Sequence, residues 1–270
     1  MEANPGTVSP EQLKLCHEAG INRISFGLQS TVQQELDMLG RIHTYEEFLQ
    51  SYHWARKAGF SNINVDLMFA IPGQTCENWK HNLETIAELS TEHISAYSLI
   101  IEEGTPFAQK KLILPTEDEE YQMYEDTAEI LRKYGFHQYE ISNYARDGFE
   151  CRHNKGYWQR TEYLGAGLGA ASLFQGKRFS NTRDMQTYLA DSTEPEKIRE
   201  DVTTLSRNNE IEEFMFLGLR MTEGISERQF ERNFGCRIED IYGSVLAKYK
   251  EMDLLEHTGE FWRFTRKEFM

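Results

Sequence analysis

Over the first hundred residues, short apolar runs alternate with longer amphipathic stretches, the pattern of strands and helices taken in turn. Pro10 to Ala19 reads as a helix closed by Gly20, with proline in the first turn, where it removes no hydrogen bond. Arg23 to Gln29 reads as a strand. Thr44 caps a helix running to about Lys57, and Gly59 ends it in a helix-to-strand turn. Asn62 to Phe69 is the next strand, followed by a turn at Pro72-Gly73. Thr75 and Asn78 open a helix to about Leu89, and Ile94 to Ile100 forms another strand. Such repeats, with largely apolar strands, predict an α/β fold in which helices cover a parallel sheet. Only about three full repeats are visible, fewer than a closed barrel needs. Sheets of this kind carry chemistry at the carboxyl ends of their strands. That rule singles out Gln29, Asp66 with the Ala70–Gln74 turn, and Tyr97–Ile101.

The pattern changes after Pro106. Glu117 to about Tyr134 is a helix ended by Gly135; then come Tyr139–Tyr144, the segment Cys151–Trp158 and a glycine-rich run at Gly165–Ala170. Short strands around Ser172–Gln175 and Lys177–Ser180 suggest antiparallel additions. Ser192–Arg199 is a polar linker. Beyond it lie three helices, Asn208–Thr222, Ser226–Phe234 and Ile238 to about Met252, then a hairpin over Leu254–Thr265. That order resembles a winged helix. The expected domains are 1–105, an extension over 106–191, and a small helical domain over 192–270.

The chain has 270 residues, and 39% hydrophobic content is enough for a sizeable core. Its 44 acidic residues outnumber 29 basic ones, for a formal charge of -15. That balance disfavours nucleic acid and anionic membranes as partners. Arg228, Arg232, Arg237, Lys248, Lys250, Arg263, Arg266 and Lys267 in the winged-helix region are interspersed with glutamates, which argues against nucleic-acid binding there. No apolar run approaches the roughly 20 residues of a membrane helix. Met1–Gly6 has neither a basic nor an apolar leader pattern, so a cytoplasmic protein is the default. Cys16, Cys76, Cys151 and Cys236 lie scattered, the pattern of reduced structural thiols rather than of disulfides or a metal knuckle.

Few residues point to chemistry unaided. Asp66 lies inside an apolar strand, and a buried carboxylate must be hydrogen-bonded or paired. It either caps a turn or pairs with a cation such as Arg41, or it serves a site. Gly165–Gly169 contains G-x-G-x-G, but the run Ala170–Phe174 after it reads as strand, so close backbone packing is the better reading. His153, beside Tyr157 and Trp158, is either an axial haem ligand on an aromatic wall or a histidine in an aromatic mini-core.

Taken together, these segments resemble the oxygen-independent coproporphyrinogen III oxidase family of radical S-adenosylmethionine (SAM) proteins. The matching motifs are E-A-N-P-G-T from Glu2, R-I-S-F-G-L-Q-S from Arg23, L-G-R at Leu39–Arg41 and N-V-D-L-M-F-A-I-P-G-Q-T from Asn64. S-A-Y-S-L from Ser95, Y-E-I-S-N-Y-A from Tyr139 and H-N-x-x-Y-W from His153 complete the series. The resemblance covers nearly the whole chain. It implies the latter part of a (β/α) partial barrel, a family-specific extension and a helical C-terminal domain. It also implies that Glu2 holds the SAM amino group, that Gln29 and Arg41 bind the methionine end, that Asp66 accepts from the ribose hydroxyls, and that the backbone near Tyr97 meets adenine.

The family has an oxidase branch, which decarboxylates porphyrinogen propionates, and a haem-chaperone branch, which binds haem and passes it to a recipient protein. H-N-x-x-Y-W resembles the second and implicates His153 in binding haem iron, with Tyr157 and Trp158 flanking the macrocycle. Family members carry C-x-x-x-C-x-x-C for a [4Fe–4S] cluster, and this sequence contains no such motif. The chain is therefore expected to be a C-terminal piece of a longer parent that uses SAM and the cluster, with no catalytic residue of its own and no radical activity alone. Coproporphyrinogen III dehydrogenation and a cluster-independent haem-binding module are the alternative functions. A bare sheet edge at Arg23–Leu28 is expected to invite dimerisation.

Overall fold

The computed structural model describes residues 1–105 and 107–265; Pro106, Arg266 and Lys267 lie outside the described residues. The chain forms two compact units that divide between Glu150 and Cys151. The first contains β1 (Glu2–Ala3), α1 (Pro10–Glu18), β2 (Ile24–Gln29), α2 (Gln33–Met38), α3 (Tyr45–Ala58) and β3 (Ile63–Phe69). It continues through α4 (Cys76–Glu88), β4 (His93–Ser98), α5 (Glu117–Lys133), β5 (His137–Glu140) and β6 (Asn143–Ala145).

Local chemistry explains most of these helices. Ser9 with Gln12, Thr44 with Glu47 and Thr116 with Glu119 form capping boxes, each satisfying two orphan N–H groups. Gly59 ends α3 at φ 107°, a conformation that favours glycine.

The sheet order is β1-β2-β3-β4-β6-β5, parallel from β1 to β4 and antiparallel beyond. Side chains alternate between its two faces. Ile24, Phe26, Leu28, Ile63, Val65, Leu67 and Ile94 are all 0% exposed and share one face. There α3 packs on β2 and α4 on β3. Each such side chain contributes roughly 1.5–3 kcal/mol on burial, so this face suffices to hold the sheet. The opposite face is polar. It carries Ser25 and Gly27 from β2, Asn64 and Asp66 from β3, and His93, Ser95 and Tyr97 from β4.

The sequence grouped 107–150 into the extension expected over 106–191. In the structure β6 pairs antiparallel with β4 and β5 pairs with β6, so this stretch completes the first unit. The bare edge expected at Arg23–Leu28 is corrected. β1 lies parallel against β2, with Glu2 opposite Ser25 and Ala3 opposite Phe26. The Met1 carbonyl also accepts from the Ser25 N–H, at 2.9 Å.

The second unit holds α6 (Arg152–Trp158), β7 (Ala171–Phe174), β8 (Lys177–Asn181), α7 (Met185–Asp191), α8 (Pro195–Ile198) and β9 (Arg199–Thr204). After these come α9 (Arg207–Gly218), β10 (Ile225–Ser226), α10 (Glu227–Phe234), α11 (Ile238–Glu251), β11 (Leu255–Thr258) and β12 (Phe261–Phe264). The linker expected over 192–199 instead holds α8 and leads into β9, which pairs with β8. β10, β12 and β11 form the wing sheet beside three helices. Their shared core includes Phe214, Phe230, Leu246 and Trp262. Three basic residues of this region are ion-paired: Arg228 with Glu260, Arg237 with Glu239 and Arg263 with Glu256. The glycine run is a hydrogen-bonded loop, as close packing requires. A side chain at Gly165 would meet the Ala171 carbonyl, and Asn181 donates to the carbonyls of Gly165 and Gly167.

Candidate functional site

A cavity of about 430 Å³ opens on the polar face of the sheet. Glu2, Gln29, Arg41, Asp66 and Tyr97 all line it, together with Ala3, Asn4, Thr7 and Gly27. Five positions singled out along 96 residues of chain thus meet in one place. Each arrives on a different element: β1, the end of β2, the loop after α2, mid-β3 and near the end of β4.

The strand ends are shaped for this. Gln29, only 3% exposed, sits at φ 77°, in the left-handed region unusual for a side-chain-bearing residue. Its Oε1 accepts from the Tyr97 hydroxyl at 3.0 Å. Ala70, just after β3, has φ 57°. Gly27 keeps the floor open, because a Cβ there would lie 3.2 Å from Asn4 Oδ1 and 3.3 Å from Gln29 Nε2.

Asp66 does not pair with Arg41, one of the readings left open by the sequence. Its Oδ2 accepts from Ser25 Oγ at 3.0 Å and its Oδ1 from Asn64 Nδ2 at 2.7 Å. Burial pushes the Asp66 carboxyl above its usual range, against hydrogen bonds from Ser95, Ser25 and Asn64 that lower it; the Glu2 charge adds to the rise. Burial likewise raises the Tyr97 phenol, helped by the Asp66 charge.

SAM fits this donor set. At neutral pH it carries a sulfonium, an ammonium and a carboxylate, for a net positive charge. Glu2 and Asp66 against Arg41 give the cavity the opposite net charge. A guanidinium fork suits the carboxylate and a buried carboxylate suits paired hydroxyls. An iron–sulfur cluster does not fit the residues present. Among the described residues no three His, Cys, Asp or Glu side chains gather as metal ligands, and the four cysteines, none of them in a disulfide, are scattered along the chain.

Two long matches agree with the fold. Residues 1–86 match the radical SAM superfamily and residues 205–270 the HemN C-terminal domain. The protein named Heme chaperone HemW of Bacillus subtilis is 40% identical over 265 residues, covering 96% of this chain and 69% of its own length. The chain belongs to the HemW family of radical SAM proteins. Heme chaperone HemW of Lactococcus lactis is 39% identical, with 100% of this chain and 72% of its own length covered. The structure of coproporphyrinogen III oxidase (HemN) from Escherichia coli, a radical SAM enzyme, superposes with a TM-score of 0.83 over 99% of this chain and 66% of that one. At 20% identity that likeness establishes the fold alone. Membership of the family implies SAM and a [4Fe–4S] cluster as its cofactors.

His153 belongs to the other unit. It is exposed on α6, its ring 4.6 Å edge-on from that of Tyr157, which in turn lies 4.7 Å edge-on from Tyr163. Residues four apart share a helix face, whereas five apart do not. Trp158 accordingly points elsewhere, with the Arg220 guanidinium 4.3 Å from its ring centre, and lines a small gap beside Phe214. The expectation that Tyr157 and Trp158 both flank a macrocycle held by His153 is therefore not met by Trp158.

Sequence reasoning missed Asn4, Thr7 and Gly27 in the cavity, and the Ser25–Asn64 pair behind Asp66. For the Ser25–Asn64 pair a signal was available in the polar residues alternating with apolar ones at Ser25 and Gln29, Asn64 and Asp66, and His93, Ser95 and Tyr97; none marked Asn4 and Thr7.

Proposed function

We propose that the cavity is the SAM site of a haem-handling radical SAM protein, and that His153 is its axial haem ligand. One observation carries the first part: Glu2, Gln29, Arg41, Asp66 and Tyr97, far apart in sequence, line a single cavity of complementary charge. In this reading Glu2 receives the ammonium, Arg41 and Gln29 the methionine end, Asp66 the ribose hydroxyls, and the backbone near Tyr97 the adenine. SAM, with a cluster whose thiolates this chain does not supply, provides the radical chemistry of the family. The residues here bind and orient.

Haem binding and delivery to a recipient protein are carried over from relatives named Heme chaperone HemW, whose names support this branch over the oxidase. His153 is exposed and makes a ring contact with Tyr157, leaving an imidazole accessible to iron.

Calorimetric titration with SAM tests the first part. Asp66→Ala and Arg41→Ala should each weaken binding about tenfold, the worth of one charged hydrogen bond. Wild-type affinity in both variants refutes the assignment. For haem, the Soret shift on titration should weaken at least about tenfold in His153→Ala. His53 is also exposed and serves as the control; equal loss in His53→Ala would mean adventitious binding. His43 and His137 are already engaged, with the Leu28 carbonyl and with Asp147 and Glu150.

A further inference from the structure

On the polar face a chain of buried hydrogen bonds runs away from the cavity through Asp66. Asn64 Nδ2 donates to Asp66 Oδ1 at 2.7 Å and to Ser25 Oγ at 2.6 Å. Asn64 Oδ1 lies 2.5 Å from His93 Nδ1, and His93 Nε2 lies 2.8 Å from the Tyr139 hydroxyl. Asn64, His93 and Tyr139 are 2%, 0% and 4% exposed, so water does not compete for these contacts.

The carboxylate dictates the direction of the whole chain. Both Asp66 oxygens accept, Oδ2 from Ser25 and Oδ1 from Asn64, so the amide nitrogen of Asn64 faces Asp66 and its oxygen faces His93. His93 therefore carries its proton on Nδ1 and offers a bare Nε2, to which Tyr139 donates. Burial holds the imidazole neutral, lowering its pKa to about 3, with the Arg23 charge acting in the same direction. At neutral pH the ring thus has one protonation state and one tautomer. A flip of the Asn64 amide would set two acceptors against each other at the 2.7 Å now spanned by a hydrogen bond.

We propose that His93 is a positioning residue for the ribose of the bound nucleoside: it locks the Asn64 amide and, through it, the Asp66 carboxylate in the orientation that receives the ribose hydroxyls. This rests on the cavity being a SAM site. It adds residues of β4 and β5 that do not line the cavity, and it assigns ribose selectivity to a hydrogen-bond chain rather than to Asp66 alone.

The experiment compares two probes, adenosine and 2′,3′-dideoxyadenosine, as competitors of SAM, so that the affinity ratio isolates the ribose hydroxyls. Wild type should favour adenosine by about tenfold or more, and Asp66→Ala should abolish the preference. His93→Leu, which leaves Asn64 Oδ1 with only the longer hydrogen bond from Ser95 Oγ, at 3.2 Å, should lower the ratio toward that of Asp66→Ala. His93→Asn, whose amide nitrogen can take the place of Nδ1, should restore it. A merely structural role would lower the thermal midpoint and both affinities while leaving the ratio unchanged. Tyr139→Phe removes a single hydroxyl and covers the case in which His93→Leu fails to fold. It should lower the ratio by about threefold. A normal ratio in both His93→Leu and Tyr139→Phe, with Asp66→Ala behaving as expected, overturns the role of His93 alone. A wild type indifferent to the ribose hydroxyls overturns the SAM-site reading and this inference with it.

Discussion

Truncating Trp158 separates structure from haem chemistry within the H-N-x-x-Y-W segment. The indole is partly buried, stacked under Arg220, and adjoins Phe214 of α9. A fully buried tryptophan costs about 3–5 kcal/mol on truncation to alanine, and half-burial brings that to roughly 2 kcal/mol. The guanidinium stack adds about 0.5–1 kcal/mol. Against this, the indole Nε1 is buried without a hydrogen-bond partner among the described residues, a defect that truncation removes. Relief of about 1 kcal/mol leaves a net loss near 2 kcal/mol for Trp158→Ala. Trp158→Phe keeps most of the packing and sheds the orphan donor, so its cost should fall below about 0.5 kcal/mol. Urea unfolding reads both values from the midpoint at constant slope. The Soret titration should be unchanged in Trp158→Phe, since the side chain does not share the face of His153. If Trp158→Phe instead loses haem binding while remaining fully stable, Trp158 contacts the ligand and the face assignment is wrong.

The geometry sets two further outcomes. Gly27→Val needs only small shifts of the Asn4 and Gln29 side chains, because the backbone there is one that other residues adopt, and it should weaken SAM binding at least about tenfold by filling the cavity floor; undiminished affinity by calorimetry would place the ligand elsewhere. Glu213 accepts from Arg160 and Arg178; burial pushes its carboxyl up, but those hydrogen bonds and charges outweigh it and hold the pKa below the ordinary 4.5. A lowered folded pKa stabilises above the unfolded value and fades as pH falls through the folded one. The destabilisation by Glu213→Gln should therefore be full at pH 7 and shrink below about pH 4.5; a pH-independent difference in unfolding midpoint would rule out the ion pairs as its source.

The sequence determined by itself whatever depends on neighbours a few residues away. Thr44, Thr75 and Gly59 mark helix ends because caps act within one turn, and α1, α3, α4 and α5 lie where those signals put them. The motifs from Glu2 to Leu99 were also enough to name five of the nine residues that line the cavity, since resemblance needs no geometry. Only the tertiary structure decided what depends on partners distant in sequence. β1 is two residues long and exists because the edge of β2 accepts it. β9 is a polar, mostly exposed strand that starts where the expected linker ends, and it forms because β8 offers a ladder. The 107–150 stretch joins the first unit through the antiparallel pairing of β6 with β4, which no local pattern encodes. The same holds for Asp66: its charge was legible, but its link through Asn64 to His93 required the register that sets Ser25, Asn64 and His93 side by side. Strand register is a long-range property, and a shift by one residue would turn every one of these groups to the other face.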